Sequence, residues 1–326
     1  MTAYVTRRFL SAMLTLLGVA VILFILFRMM PGDPTAQVIS PALDEAAQIR
    51  LKHAFGLDLP MWQQFIIYLK NLVTFEWGRS FTSGQPVANL LGHWLFNTLL
   101  LMSTGLILAI AFGVVLGVLM AARRGGILDN GATVVGLVCQ AAPPFVIGIL
   151  LLMGLSYQLD MFPTGGMFTP GTDPGGSTWA LVTSADFLEH LFLPTLTITA
   201  LYMTTPMLVM RDSMLEVLGS DFVEFARAKG LSPNRVLFRH AARNALLAVV
   251  TVSSLILGFA IGGQIVIETV FSWPGLGKAM VDAALQHDYP VAQAAFFVMA
   301  AVVIGLNFIT DLSYSLLDPR IRIGTT

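Results

Sequence analysis

Six stretches of the chain are apolar for about 20 residues or more, the length a helix needs to cross the hydrocarbon core of a bilayer. They cover residues 9–30, 98–122, 132–157, 188–210, 245–267 and 292–316. Barrel strands would instead alternate over segments of about 10 residues. The pattern therefore predicts an all-α polytopic membrane protein with six transmembrane helices. Arg7 and Arg8 precede the first run, but no small-residue cleavage site follows it; "RMMPGDPT" does, where Pro31 and Pro34 end the helix. Residues 1–30 are thus expected to be a retained span. The third run contains Pro143 and Pro144, which predict a kink or break.

The connections are unequal. Residues 31–97 are long enough for structure of their own and predict a helical extracytoplasmic insertion. In "SPALDEAAQIRLKHAFGL", Ser40 can cap, Pro41 takes the first helical position and Gly56 closes the helix. "MWQQFIIYLKNLV" predicts a second helix with Phe65, Ile66, Leu69 and Leu72 as its apolar positions. The stretch "DMFPTGGMFTPGTDPGGSTW" is rich in Gly and Pro and predicts no regular structure, and "RRGGILDNG" predicts a short turn. Residues 98–316 form the expected core of five further spans, with 317–326 as a tail.

Charge orients this arrangement. With an even number of spans the termini share a side, and that side carries 12 of the 18 Lys and Arg residues. By the positive-inside rule it is the cytoplasm. The chain is 56% hydrophobic, 11% charged and has a net charge of −1, so no basic field speaks for nucleic acid. The single cysteine, Cys139, forms no internal disulfide and sits in an apolar run as a packing residue.

Six basic residues cluster between Arg211 and Arg243. Within this loop, Asp221 with Glu224 three residues on reads as a capping box, and Gly230 supplies a stop. The enclosed helix is only about two turns long, with Phe222, Phe225 and Ala226 near one face. Ser232 and Pro233 then open a second helix on which Arg235, Arg239 and Arg243 form one stripe. Two readings fit: a basic anchor on anionic lipid, and a docking element for another protein. Anchoring explains the arginines but not a capped, isolated short helix ending in Gly.

Other chemistry is sparse. "SWPGLGKA" lacks the first glycine of a P-loop, and Ala279 stands where the Mg-binding Ser or Thr belongs, so Gly275 and Gly277 read as turn residues. The five histidines are dispersed and no HExxH occurs, so no metal site is expected. Gln140, Gln264, Glu268, Asn307 and Asp311 are polar groups in or at the ends of spans. Gln140, Gln264 and Asn307 are candidates for a translocation path or for inter-helix hydrogen bonds; Glu268 and Asp311 fit structural placement better. An intramembrane enzyme would need catalytic pairs within the spans, and none is present; a passive channel would need no docking loop.

"EFARAKG", residues 224–230, resembles the EAA loop of ABC importer permeases. "PGDP", "FGLDLPMWQQFIIYLKNL", "WGRSF", "ETVFSWPGLGKAM", "RNALL" and "LLDPRIR" are similar to the B-type permease of the dipeptide/oligopeptide/nickel family, in order along nearly the whole chain. Phe225 stands where many such loops have Ala, Ala248 where Pro is frequent, and Phe96 departs from the usual "LPxT". The resemblance implies a type I ABC importer permease-like fold in a bacterial or archaeal inner membrane. It implies that Asp221, Phe222, Glu224, Phe225, Ala226, Arg227, Ala228, Lys229, Gly230 and Leu231 form a helix that couples to an ATPase. Implied partners are a second homologous permease, two cytoplasmic ATPase subunits that hold ATP and Mg, an extracytoplasmic solute-binding protein, and membrane lipid. This chain itself is expected to bind no cofactor. The implied substrate is a di- or oligopeptide, with nickel complexes and opines as alternatives.

Overall fold

The computed structural model describes residues 2–29, 59–171, 180, 182–260 and 264–317, with the side chains of 2–3, 257–260, 264 and 313–317 excepted. The predicted helix at 40–56, the "PGDP" turn and the last nine residues lie outside them. The described residues are almost entirely helical: α1 (Thr2–Met29), α2 (Met61–Thr74), α3 (Val87–Ala122), α4 (Ile127–Ala141), α5 (Pro144–Leu151), α6 (Ala185–Tyr202), α7 (Thr204–Leu218), α8 (Asp221–Ala228), α9 (Ala242–Ala260), α10 (Gln264–Val270), α11 (Leu276–Leu285) and α12 (Tyr289–Leu317). Helices satisfy every backbone group within the segment, which a hydrocarbon environment requires.

Among the described residues, Tyr4–Met29, Val87–Ala122 and Tyr289–Leu312 are single helices long and apolar enough to cross a membrane, with hydropathies of 2.7, 2.6 and 2.1. Two further helix pairs are apolar and long enough only when taken together, and each is bent. Ile127–Ala141 and Pro144–Gln158 meet at 110°, and Ala185–Tyr202 and Thr204–Leu218 at 45°. The first break falls at Pro143–Pro144, as expected, with Pro144 opening α5. The second was not foreseen. Pro206 sits in the first turn of α7 and has no N–H for the carbonyl of Tyr202. The predicted fifth run becomes α9, then residues 261–263, which are not described, then α10. The second run, residues 98–122, is the later part of a longer helix that begins at Val87.

Two compact units share the chain: Met1–Thr98 with Pro274–Phe308, and Leu99–Trp273 with Ile309–Thr326. In the first, Phe24 of α1 packs on Phe65 and Tyr68 of α2, with centroids 5.1 and 5.6 Å away, and Phe27 meets Tyr289 and Phe296 of α12. Of the apolar positions expected on α2, Leu72 is buried and Ile66 is 56% exposed. The "WGRSF" segment forms a turn closed by Val87 N–H on the Gly78 carbonyl and Ser80 N–H on the Gln85 carbonyl. Asp288 is buried against it. Its carboxylate accepts the Ser80 hydroxyl at 2.5 Å and the N–H groups of Phe81 and Thr82 at 3.1 and 3.3 Å. Thr98 Oγ1 accepts the Leu276 N–H at the start of α11, and Asn97 donates to the Pro274 carbonyl. Gly275 is the N-cap of α11 but Gly277 lies inside the helix, which corrects its reading as a turn residue.

The second unit is organised by α3, α7 and α9. At Gly117 a Cβ would stand 2.5 Å from the Met207 carbonyl oxygen, and at Gly113 2.8 Å from that of Met203. The four-residue spacing puts both glycines on one face of α3, where the α7 backbone touches it. Val118 and Ala121 of α3, Met210 and Met214 of α7, and Ala241, Ala245 and Val249 then form one buried cluster.

Candidate functional site

The charged loop does contain an isolated two-turn helix, α8. Its entry differs from expectation. Ser220, not Asp221, is the N-cap residue, and no side chain caps the helix. The Ser220 hydroxyl turns back to donate to the Val217 carbonyl at 2.5 Å, so no capping box forms. Asp221 and Glu224 remain in the first turn, where the positive end of the helix favours them. Its exit is as expected. Gly230 has φ +76°, its N–H donates to the Arg227 carbonyl at 2.9 Å, and the Leu231 N–H donates to the Ala226 carbonyl at 3.4 Å. These two bonds make a Schellman ending, which needs a left-handed residue where Gly stands.

The faces of α8 also differ from expectation. Val223 and Ala226 are buried against Val236, with Val217, Leu218 and Leu231 packed around them. Phe222 and Phe225 are 44% and 62% exposed, whereas Ala226, only about 40° from Phe222 around the helix, is buried. The two rings, about 60° apart on the helix, form an aromatic outer face. Lys229 Nζ lies 4.5 Å from the Phe225 ring centroid. Asp221, Glu224, Arg227, Ala228 and Gly230 are also exposed.

After Ser232 and Pro233, one α-helical turn (Pro233–Arg235) passes into a π-helical segment (Val236–Ala241) and then into α9. Arg235, Arg239 and Arg243 are all exposed. Val236 belongs to the α8 cluster and Ala241 to the cluster of α3, α7 and α9. Packed side chains thereby link α8, through Val236 and Ala241, to α3, α7 and α9.

One ionic element escaped the sequence. Asp129, in the first turn of α4, is 1% exposed and receives Arg211 of α7 in a bidentate pair, Nε–Oδ1 2.5 Å and Nη2–Oδ2 2.9 Å. Gly125 N–H adds a third bond to this carboxylate. The pair spans 82 positions, so no local pattern reports it.

Of the candidate path residues, Gln140 is exposed at the end of α4 and donates to Thr205 Oγ1 at 3.3 Å. Beside it, Thr204 donates to the Gly136 carbonyl at 2.8 Å, so the two bent pairs are tied together at their breaks. Asn307 is exposed on α12, and Gln264 opens α10, its side chain outside the described residues. Glu268 is completely buried and Asp311 partly so. Among the described residues no group of three or more His, Cys, Asp and Glu could hold a metal ion.

Comparison with known proteins gives a concordant picture. Residues 113–323 match the family described as binding-protein-dependent transport system inner membrane component, and residues 1–105 match the N-terminal part of such membrane components. The oligopeptide transport system permease protein AppB of Bacillus subtilis (strain 168) is 39% identical over 323 residues, covering 99% of this chain and 100% of AppB. The di/tripeptide transport system permease protein DppB of Pseudomonas aeruginosa (strain UCBPP-PA14) is 35% identical, covering 99% of both chains. The glutathione transport system permease protein GsiC of Escherichia coli (strain K12) is 34% identical with the same coverage. A chain of the MetNI methionine ABC transporter in an inward-facing conformation superposes with a TM-score of 0.53 at 15% identity, covering 72% of this chain and 99% of that one. That likeness is one of fold.

Proposed function

This chain belongs to the inner membrane components of binding-protein-dependent transport systems, and from that premise we propose that it carries small peptides and couples to its ATPase through α8. It is a multi-pass membrane permease of an ABC importer and does not itself hydrolyse ATP. Its system includes ATPase and binding-protein subunits. The peptide assignment is supported by relatives named for oligopeptides, di- and tripeptides, and glutathione, each similar over nearly the whole chain. In this reading a second, homologous permease completes the path, and six spans place both termini in the cytoplasm. Residues 31–97 lie outside the cytoplasm, 98–316 form the core and 317–326 the tail. The 12-to-6 distribution of Lys and Arg supports that orientation.

The observation that carries the coupling role is the construction of α8. Its buried side chains are Val223 and Ala226, while Phe222 and Phe225 are exposed. Exposed aromatic pairs on a short rigid helix are what a partner groove recognises. Closure of the ATPases would push on this face, and the clusters around Val236 and Ala241 would carry the displacement to α3, α7 and α9. Gln140, Gln264 and Asn307 are proposed to line the path along which the peptide moves.

The test is the pair Phe222→Ser and Phe225→Ser, combined, in vesicles holding the permeases, ATPases and binding protein. Thermal unfolding of the chain is expected to stay close to wild type, because both rings are exposed. ATPase retention and peptide uptake are expected to fall at least tenfold. Full uptake with bound ATPase would return the loop to the role of a basic membrane anchor.

A further inference from the structure

α2 has two kinds of outer surface, of which Gln63 is half-buried and the other residues named are exposed. At about 100° per residue, Trp62, Ile66 and Val73 fall within about 40° of one another, next to the face buried on α1. They are 63%, 56% and 78% exposed. Gln63, Lys70 and Thr74 form a separate polar strip, within about 40° of one another, on the side away from that buried face. Met61 and Ile67, 56% and 42% exposed, are the apolar residues that lie outside both strips. A helix whose outer surface is divided lengthwise in this way suits neither bulk water nor a dry protein interior.

Its depth follows from α1. Phe24, the residue that packs on Phe65 and Tyr68, lies about 7.5 Å before the end of a 26-residue span, at 1.5 Å per residue. The guanidinium of Arg28 folds back over the Phe24 ring at 5.6 Å. An arginine at the end of a span sits at headgroup level, so the rings of α2 that meet Phe24 lie at the hydrocarbon boundary. Ile22, Ile25 and Leu26 of α1, in the same half of the span, are 62%, 47% and 50% exposed.

We propose that α2 is an interfacial helix whose partner is the lipid surface: Trp62, Ile66 and Val73 enter the boundary between headgroups and acyl chains, while Gln63, Lys70 and Thr74 face water. The inference rests on α1 being a membrane span, not on the peptide assignment or on α8. Interfacial helices of this kind immerse their apolar side by about 5–10 Å.

The experiment places single cysteines at Ile66, Val73, Gln63 and Thr74 after Cys139→Ser. Each is spin-labelled in the assembled transporter in vesicles of mixed zwitterionic and anionic phospholipid. Collision with oxygen is compared with collision with a water-soluble nickel chelate. Labels at 66 and 73 are expected to favour oxygen at least threefold over labels at 63 and 74. Four labels equally open to the chelate would overturn the proposal and make α2 an aqueous surface. Labels at 66 and 73 shielded from both reagents would also overturn it, and would assign that strip to a protein: the second permease, the binding protein or residues 30–58. Peptide uptake by the same preparations tests the transport reading separately.

Discussion

The turn at 78–86 and the helix α8 are both short exposed features, yet they are held in opposite ways. The turn is fixed by a buried carboxylate: Asp288 accepts one hydroxyl and two backbone N–H groups, and two backbone bonds close the turn itself. α8 has no cap on its first turn, and it touches its own chain through the side chains of Val223 and Ala226. A charge-assisted bond has one good geometry, and losing it strands a buried group. Methyl contacts weaken gradually and tolerate small shifts. The first construction suits a part that must keep its shape, the second a part that is pushed.

The comparison is broken most severely by Asp288→Ala, which strands three donors at a buried site. A loss of about 3 kcal/mol or more is expected, read as earlier thermal unfolding and new protease cleavage between Arg79 and Val87. Asp288→Asn keeps one acceptor oxygen and should recover part of the loss. If Asp288→Ala left the melting temperature unchanged, the turn would owe its rigidity to its backbone alone.

Gly230→Val comes next. A Cβ there would meet nothing within 4 Å, so crowding is not the difficulty; φ of +76° is. The strain is about 1–3 kcal/mol for a β-branched residue, confined to the end of α8. The expected result is an inserted permease with normal global stability and uptake at least tenfold lower. Gly230→Asn, which tolerates the left-handed region, should transport better than Val. Equal uptake by Val and Gly would show that the Schellman ending has no part in coupling.

The smallest effect is expected from Arg239→Ala. The side chain is exposed, and such changes stay within about 0.5 kcal/mol. Uptake should remain within twofold of wild type. A loss as large as that of the phenylalanine pair would move the work of the loop from α8 to the arginine stripe.

How much of this was legible beforehand follows physical range. The apolar runs, the Pro143–Pro144 break and the Gly230 ending depend on residues within a few positions, and the sequence states them. The identity of the N-cap depends on which of two adjacent polar residues, Ser220 or Asp221, takes extended φ/ψ, and both are good formers. The side on which Phe222 and Phe225 lie depends on Val236 and Leu218, which no pattern within α8 contains. The pairing of Asp129 is not written in its own neighbourhood, because its partner Arg211 comes from another helix.

The π-helical segment at Val236–Ala241 has a consequence for the gene. The wider π-helical turn closes its hydrogen bond over five residues, so Val236 and Ala241 stand closer to one side than they would in an α-helix. In a regular α-helix they would stand about 140° apart, and one of the two buried clusters would lose its contact. The phase is set by the number of residues between them and not by their identity. Codons 237 to 240 can therefore vary in spelling far more freely than in number, and a single in-frame deletion among them would rotate everything downstream relative to α8.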